Sequence, residues 1–231
     1  MKNTLTTSLT LLLLLVASTV QAAPKQVDAI YQATRNGQPF ATITESYREQ
    51  NGHYHIESVT KGIGVYALFG VRRLLSEGEV TAAGLKPSHF ELHQGDNEKK
   101  ALITDFDWVA NKLSMKIKGK PSVVPLEAGT QDLTSFVYQF MFALPIGDEF
   151  KLPVTTGKKL RTYSYKVTER DTELEVPAGK FKTMHLVNVG DADDAKEFWL
   201  GVESHRLPVR LTMRDEGGAK IEQMLTSLHA E

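Results

Sequence analysis

Asn-Gly dipeptides separate short runs of alternating apolar and polar residues near the start of this chain, and this pattern restricts the fold more than any other feature. Asn36-Gly37 follows a run at 27–34, and Asn51-Gly52 follows a run at 40–49. Asn and Gly both tolerate the positive φ of a two-residue hairpin turn. Glycine-containing turns recur as far as Gly217. The pattern predicts an all-β fold: a predominantly antiparallel curved sheet, barrel-like or sandwich.

The predicted strands have one apolar and one polar face. In residues 112–118, Leu113, Met115 and Ile117 alternate with lysine and serine, so a shift of one residue would expose the whole apolar set. The predicted strands are, in order, 27–34, 40–49, 54–60, 71–80, 87–93, 100–108, 112–117, 159–169, 182–188, 196–200, 209–213 and 220–226.

Residues 132–144 interrupt the strand pattern. Asp132 or Thr134 can accept hydrogen bonds from the free N–H groups of a first helical turn. The stretch continues with aromatic and aliphatic residues and stops at Pro145. A helix that is apolar on nearly every side is a buried one. We therefore expect one buried α-helix near 132–144, on the concave side of the sheet.

Residues 1–22 have the composition of a secretory signal. Lys2 supplies a positive charge, residues 9–16 form a short apolar core, and Ala22 ends a suitable cleavage site. Cleavage after Ala22 leaves a single exported β-rich domain at residues 23–231. The chain contains no cysteine, which excludes disulfides and cysteine-linked lipid. We expect the protein in the periplasm.

Charge and hydropathy argue against several classes of partner. The chain has 27 Lys and Arg and 28 Asp and Glu, a formal net charge of -1. This balance gives no electrostatic case for nucleic acid or for an anionic membrane surface. No second long apolar segment follows the signal, so no transmembrane span is expected in the mature chain. The expected partner is a lipid or another apolar small molecule, or an envelope protein.

No catalytic motif is present. The sequence lacks a Gly-x-Ser-x-Gly elbow, a phosphate loop and a His-Glu-x-x-His helix. His53 and His55 share one strand face, as do His89 and His93. A zinc site needs at least three protein ligands, and no further ligand is evident near either pair. We predict no catalytic residue, no metal and no cofactor.

Acidic residues form three small groups. Their members are Asp105 and Asp107, Glu173 and Glu175, and the loop residues Asp191, Asp193 and Asp194. The loop lacks the distal glutamate of a calcium loop, and exposed strand carboxylates are the simplest interpretation of the two pairs. A hydrolase that uses His53, His55, Asp105 or Asp107 remains an alternative.

Aromatic and aliphatic side chains are the better indication of function. If the residues of the predicted helix lie under a curved sheet, they either complete a core or line an apolar pocket. The glycine-framed segment 62–70 would form a flap at its mouth. The hypothetical ligand-binding residues are Val65, Tyr66, Phe69, Phe136, Tyr138, Phe140 and Phe142. Four arginines have two alternative roles: they either contact an anionic headgroup at the rim of the pocket or simply lie on the surface. They are Arg72, Arg73, Arg206 and Arg210.

Several segments of the chain form one recognisable set: 84–87 with 89–91, 132–135 with Tyr138, 176–181, 198–200, 207–211, and 215–218 followed by 221–222. Together these segments resemble those of an exported bacterial family of unknown function, DUF3108. The resemblance covers essentially all of the mature chain. It implies a periplasmic protein, found mainly in Gram-negative bacteria, with no assigned catalytic residues. It also implies a curved antiparallel sheet, somewhat similar to lipoprotein-carrier folds that hold acyl chains.

Three functions remain open at this point. The first is a non-enzymatic carrier or sensor for an apolar or amphipathic envelope ligand. The second is an envelope assembly or scaffold protein with a filled interior, which binds another protein by a sheet edge or a surface patch. The third, least favoured, is the hydrolase.

Overall fold

The computed structural model describes residues 23–142, 147–190, 195–215 and 217–231. The predicted signal at 1–22 and the aspartates 191, 193 and 194 lie outside these ranges. Fifteen strands make up most of the described chain. Their bounds are β1 Gln26–Arg35, β2 Gln38–Gln50, β3 His53–Gly62, β4 Arg72–Thr81, β5 Gly84–Gln94, β6 Leu102–Asp107, β7 Lys112–Ile117, β8 Lys120–Pro125, β9 Gln131–Asp132, β10 Glu149–Thr155, β11 Leu160–Val176, β12 Gly179–Val189, β13 Lys196–Gly201, β14 Pro208–Arg214 and β15 Lys220–Ala230.

All fifteen strands belong to one sheet, in the order β8-β7-β6-β5-β4-β3-β2-β1-β15-β14-β13-β12-β11-β10-β9. Each strand from β1 to β8 pairs with its neighbour in sequence, and so does each strand from β9 to β15. The two meanders join where β1 pairs with β15. Every pairing is antiparallel except the short parallel contact of β9 with β10. The predicted all-β class with one helix is therefore confirmed.

The sheet is rolled, because its two ends are joined by a short connection. Fifteen flat strands spaced about 4.8 Å apart would extend about 67 Å. Residues 126–130 connect β8 at one end to β9 at the other, and such a connection reaches only about 21 Å. Contacts across the roll agree: Thr155 of β10 donates to Met115 Sδ of β7 at 3.7 Å. A Cβ added to Gly157, after β10, would lie 3.1 Å from Leu102 of β6.

The helix occupies the concave side of the sheet. Helix α1 covers Ser135–Tyr138 and continues as a 3-10 turn at Gln139–Met141, and the four residues of α1 are buried. The predicted burial is confirmed, but the predicted length is wrong. Asp132 belongs to β9, and residues 143 and 144 lie outside the described ranges. Phe, Val and Tyr restrict their own rotamers in a helix, so packing rather than helix propensity maintains this single turn.

Asp132 fixes the start of the helix. Its Oδ1 accepts hydrogen bonds from the backbone N–H groups of Thr134 at 2.8 Å and Ser135 at 2.9 Å. Its Oδ2 accepts the hydroxyl of Ser76 on β4 at 2.6 Å, and Ser76 also contacts the hydroxyl of Tyr54 at 3.1 Å. Burial raises the pKa of Asp132, against the lowering effect of these bonds. The carboxylate thereby connects β9, the helix and the sheet.

Candidate functional site

An open cavity of about 740 Å³ lies where the two ends of the rolled sheet face each other. One wall comes from β4 to β7 and the other from the turn and strand after β10. Leu133, just before the helix, contributes between them. Small-molecule sites commonly measure about 300–1,000 Å³, so the cavity is large enough for a ligand.

The floor of this cavity is apolar and its rim is cationic. Leu92, Leu102, Ile117, Leu133 and Tyr163 form the floor, and all five are buried or half-buried. Exposed cations surround it at Lys100, Lys118, Lys158, Lys159 and Arg161. No aspartate or glutamate is among the described residues that line it. Such a surface favours molecules that combine an apolar part with a negative charge.

A second cavity of about 200 Å³ lies further inside the roll. Ile43, Leu74 and Val137 are among its apolar walls, and Arg72 and Leu133 line both cavities. Arg72 therefore stands at the boundary between them. Thr134 also lines the inner cavity. Its hydroxyl is buried and has no hydrogen-bond partner in the described part of the chain.

Glu45 is the acidic group of the inner cavity. It projects from the inner face of β2, where Tyr138 donates to its Oε2 and Ser58 to its Oε1, both at 3.1 Å. Burial raises the pKa of Glu45, although these two hydrogen bonds act in the opposite direction. The Glu45 carboxyl group therefore loses its proton less readily than a solvated glutamate does.

The aromatic residues of the predicted site lie in the main core. Phe136 packs edge-on against Phe198 with ring centroids 5.3 Å apart, and Tyr138 stacks on Tyr47 at 5.6 Å. Phe140 is buried and Phe142 is half-buried at the edge of the same cluster. None of the four lines the two cavities described above. In the structure they fill the space beneath the sheet.

The other three predicted residues lie on an exposed 3-10 turn, Gly64–Phe69, between β3 and β4. Val65 and Phe69 are 71% and 70% exposed, and Leu68 between them is 88% exposed. Tyr66 is half-buried against Phe40, with ring centroids 5.6 Å apart. The turn borders the outer cavity, because Gln94 of the cavity wall donates to the Phe69 carbonyl at 2.9 Å. Ligand contact by the seven residues stays a prediction.

Of the four arginines expected near a headgroup, the structure brings only Arg72 to the outer cavity. Arg73 points to the opposite face of β4 and contacts Glu57 at 3.4 Å. Arg206 donates to the Met141 carbonyl at 2.7 Å. Arg210 pairs with Glu222 and stacks over the Trp199 ring.

The histidine pairs form surface hydrogen-bond networks. His55 contacts Glu77 at 2.8 Å on the outer face of the sheet, where His53 is also exposed. His89 contacts Glu91 at 2.9 Å and Asp105 at 2.7 Å. Burial alone would lower the pKa of His89, but the two carboxylates outweigh it and raise the pKa.

His93 and the remaining acidic residues have similar surface positions. His93 contacts Glu91 at 2.7 Å. Asp107, Glu173 and Glu175 are exposed strand residues. Within the described ranges, no three histidine or acidic residues are arranged to hold a metal ion.

The family comparison covers most of this architecture. A family model described as "Protein of unknown function (DUF3108)" matches residues 29–226. The chain belongs to this family. The matched region runs from β1 to β15 and includes all lining residues of both cavities in the DUF3108 chain. The family predicted from sequence is thus confirmed. The comparison with curated proteins found no match.

Sequence reasoning missed most of the cavity of this DUF3108 chain. Its cations come from separate segments, around residues 100, 118 and 158–161, and only the roll of the sheet brings them together. One local signal was available: the doublets Lys99-Lys100 and Lys158-Lys159 both stand beside turns. No helix in the described parts of the chain has the length and apolar character needed to cross a membrane.

Proposed function

We propose that this protein is a periplasmic, non-enzymatic binding protein that carries or senses an apolar or amphipathic molecule of the cell envelope. The observation that supports it is the open cavity of about 740 Å³, with its apolar floor and cationic rim. The cavity replaces the helix aromatics as the proposed binding surface, because those side chains are packed against aromatic residues of the strands.

The energetics allow useful affinity without special polar chemistry. Burying ten methylene groups contributes about 8 kcal/mol, at about 0.8 kcal/mol each, before the costs of association. Micromolar binding corresponds to about 8.2 kcal/mol. Because association itself costs about 4 kcal/mol or more, micromolar binding needs about fifteen buried methylene groups, or a shorter alkyl chain together with polar contacts at the rim.

Native mass spectrometry of protein purified from the periplasm tests the proposal. We expect a bound species that organic extraction releases, and displacement of a fluorescent fatty acid from the extracted protein. Protein that carries no lipid and binds no fluorescent fatty acid would contradict the proposal.

A pair of substitutions on β7 locates the site. Ile117 lines the cavity floor, whereas its neighbour Lys116 is exposed on the opposite face. Ile117→Asn should weaken fatty-acid binding about tenfold, which corresponds to about 1.4 kcal/mol. Lys116→Asn should leave binding unchanged. Equal effects of the two substitutions would place binding elsewhere.

The periplasmic location has its own test. Osmotic shock of cells that express the full chain should release a protein whose first residue is Ala23. Retention of residues 1–22 in a cytoplasmic fraction would refute both the signal and its cleavage site.

An envelope assembly or scaffold function is the second candidate, and the exposed turn at 64–69 favours it. Val65, Leu68 and Phe69 together form an apolar surface unusual for a solvated turn. A photo-crosslinking residue at position 68 should then capture one defined envelope protein in cells, and the same residue at exposed position 116 should not. Identical products from both positions would remove the support for this candidate.

A further inference from the structure

Arg72 occupies a particular position in the rolled sheet. It is the first residue of β4, opposite Thr60 of β3 and Gln94 of β5. Its side chain projects to the inner face, as Leu74 does two residues later, and lines both the outer and the inner cavity. Leu133 is the other residue that lines both, so a molecule that extends from one cavity towards the other would contact Arg72 or Leu133.

Arg72 also differs from the other arginines in its lack of partners. The other eight arginines of the chain are all described, and each has a hydrogen bond or another polar interaction. Within the described ranges, no hydrogen bond or ion pair involves the Arg72 side chain, and burial lowers its pKa with no contribution from an acidic group. Arg72 is half-buried, and a cation that is partly withdrawn from water without an anion beside it is unfavourable. An arginine nevertheless remains charged at any physiological pH.

The surroundings of Arg72 favour an anion as the missing partner. The other five cations of the outer cavity stand around the rim, and no described carboxylate is among its lining residues. Glu45 lines the inner cavity, but its carboxyl oxygens accept hydrogen bonds from Tyr138 and Ser58 rather than from Arg72. A guanidinium presents planar donors that match the two oxygens of a carboxylate or phosphate.

We propose that the cavity selects amphiphiles with one anionic headgroup, which binds the Arg72 guanidinium while the alkyl chain lies on the apolar floor. This inference rests on the proposed binding function and adds the chemical class of the ligand. Carboxylate and phosphate headgroups share the chemistry that Arg72 recognises. Amphiphiles with neutral or cationic headgroups are disfavoured, because they leave Arg72 unpaired or bring a second positive charge to the rim.

The test compares four ligands that share a sixteen-carbon chain and differ in the headgroup. Organic extraction first removes any bound lipid from the purified protein. Palmitate, monohexadecyl phosphate, hexadecanol and hexadecyltrimethylammonium then compete with a fluorescent fatty acid below their critical micelle concentrations. We expect the two anionic ligands to bind at least tenfold more tightly than hexadecanol, and the cationic ligand to bind most weakly. A preference between palmitate and the phosphate identifies the source of the headgroup.

Substitutions at positions 72 and 73 assign the selectivity to one side chain. Arg72→Gln and Arg72→Met should lower affinity for the anionic ligands at least tenfold and leave affinity for hexadecanol unchanged. Arg73→Gln removes the same charge from the opposite face of the strand, and it should change neither the affinity for the anionic ligands nor the affinity for hexadecanol. The thermal midpoint of the extracted Arg72 variants should stay level or rise, because a cation without a partner has been removed.

The outcomes separate this inference from the proposed function. Binding of hexadecanol as tight as that of palmitate overturns the anionic selectivity and leaves the binding function standing. Failure of all four ligands to bind overturns both. Equal losses of anionic affinity in the Arg72 and Arg73 variants, or a fall in thermal midpoint specific to the Arg72 variants, would refute the role of Arg72.

Discussion

Replacement of Asp132 by alanine is expected to destabilise the fold strongly, because it leaves buried hydrogen-bond donors without an acceptor. The donors are the backbone N–H groups of Thr134 and Ser135 and the hydroxyl of Ser76. Each unsatisfied buried donor costs about 1–3 kcal/mol. Ser76 retains the Tyr54 hydroxyl as a neighbour, so the two backbone groups contribute most.

The free-energy cost of leaving two backbone N–H groups unsatisfied and one hydroxyl partly satisfied is about 4 kcal/mol in total. Removal of the buried carboxylate offsets part of this sum, because burial already disfavours its charged form. We expect a net loss of about 3 kcal/mol, a large fraction of the 5–15 kcal/mol typical of folded domains. Asp132→Asn keeps an oxygen for the two N–H groups and should cost about 1 kcal/mol or less.

Urea unfolding followed by tryptophan fluorescence measures these differences, since Trp108 lies in the turn after β6 and Trp199 lies on β13, so the two report on different halves of the fold. Thr134→Val is the matched control, because the Thr134 hydroxyl has no hydrogen-bond partner in the described structure. It should leave the free energy of unfolding level or slightly higher. A loss below about 1 kcal/mol for Asp132→Ala, or equal losses for the alanine and asparagine variants, would refute the capping role.

Three further predictions concern the core and the titrating groups. Phe136→Ala should lower the free energy of unfolding by about 3–5 kcal/mol in the same assay, because it leaves a cavity in the main core. Burial raises the folded-state pKa of Glu45 above its unfolded value of 4.5. Stability should therefore fall as pH rises from 4.5 through the folded pKa, and Glu45→Gln should remove this fall in unfolding curves measured at successive pH values. Glu91 and Asp105 raise the pKa of His89. The stability that protonated His89 gains from these carboxylates is therefore fully present below pH 6.5 and is lost as pH rises through the folded-state pKa. An NMR titration should give a His89 pKa above 6.5, and Asp105→Asn should lower that pKa.

The strand pattern could be predicted wherever turns and alternation coincide. Asn36 and Asn51 have the positive φ values, 50° and 54°, that the hairpin interpretation requires. Residues 112–117 were predicted with the observed bounds of β7. Where a turn residue is absent, the prediction failed. Strand β11 continues to Val176 through two register shifts, which no local sequence signal marked.

Proline explains two of the missed strands. β8 contains Pro121 and Pro125, and β10 contains Pro153. Proline argues against a central strand because it has no N–H to donate. β8 is the last strand at its end of the sheet, and β10 pairs over its full length only with β11, so both strands tolerate it. Whether these two segments form strands despite their prolines depends on their positions in the sheet, which are a property of the whole fold.

The candidate site was less predictable than the fold. The helix aromatics were expected near a ligand because a sequence cannot distinguish a packed apolar side chain from one that lines a cavity. Phe136 and Tyr138 proved to be packed. Arg72 was named as a headgroup contact alongside three other arginines, and only the fold separates it from them. Its neighbour Arg73 is chemically identical and faces the opposite side.

The pairing of β1 with β15 has a consequence for the order in which the sheet assembles. Gln26 and Glu231 exchange backbone hydrogen bonds at 2.9 Å in both directions, although almost the whole chain separates them. During synthesis from the N terminus, one edge of β1 stays open until residues 220–230 emerge, and an open edge invites association with other chains. We expect that a cut of the chain within residues 126–130 yields two fragments, β1–β8 and β9–β15, that reassociate by pairing β1 with β15. Each fragment would cover the unpaired strand edge of the other.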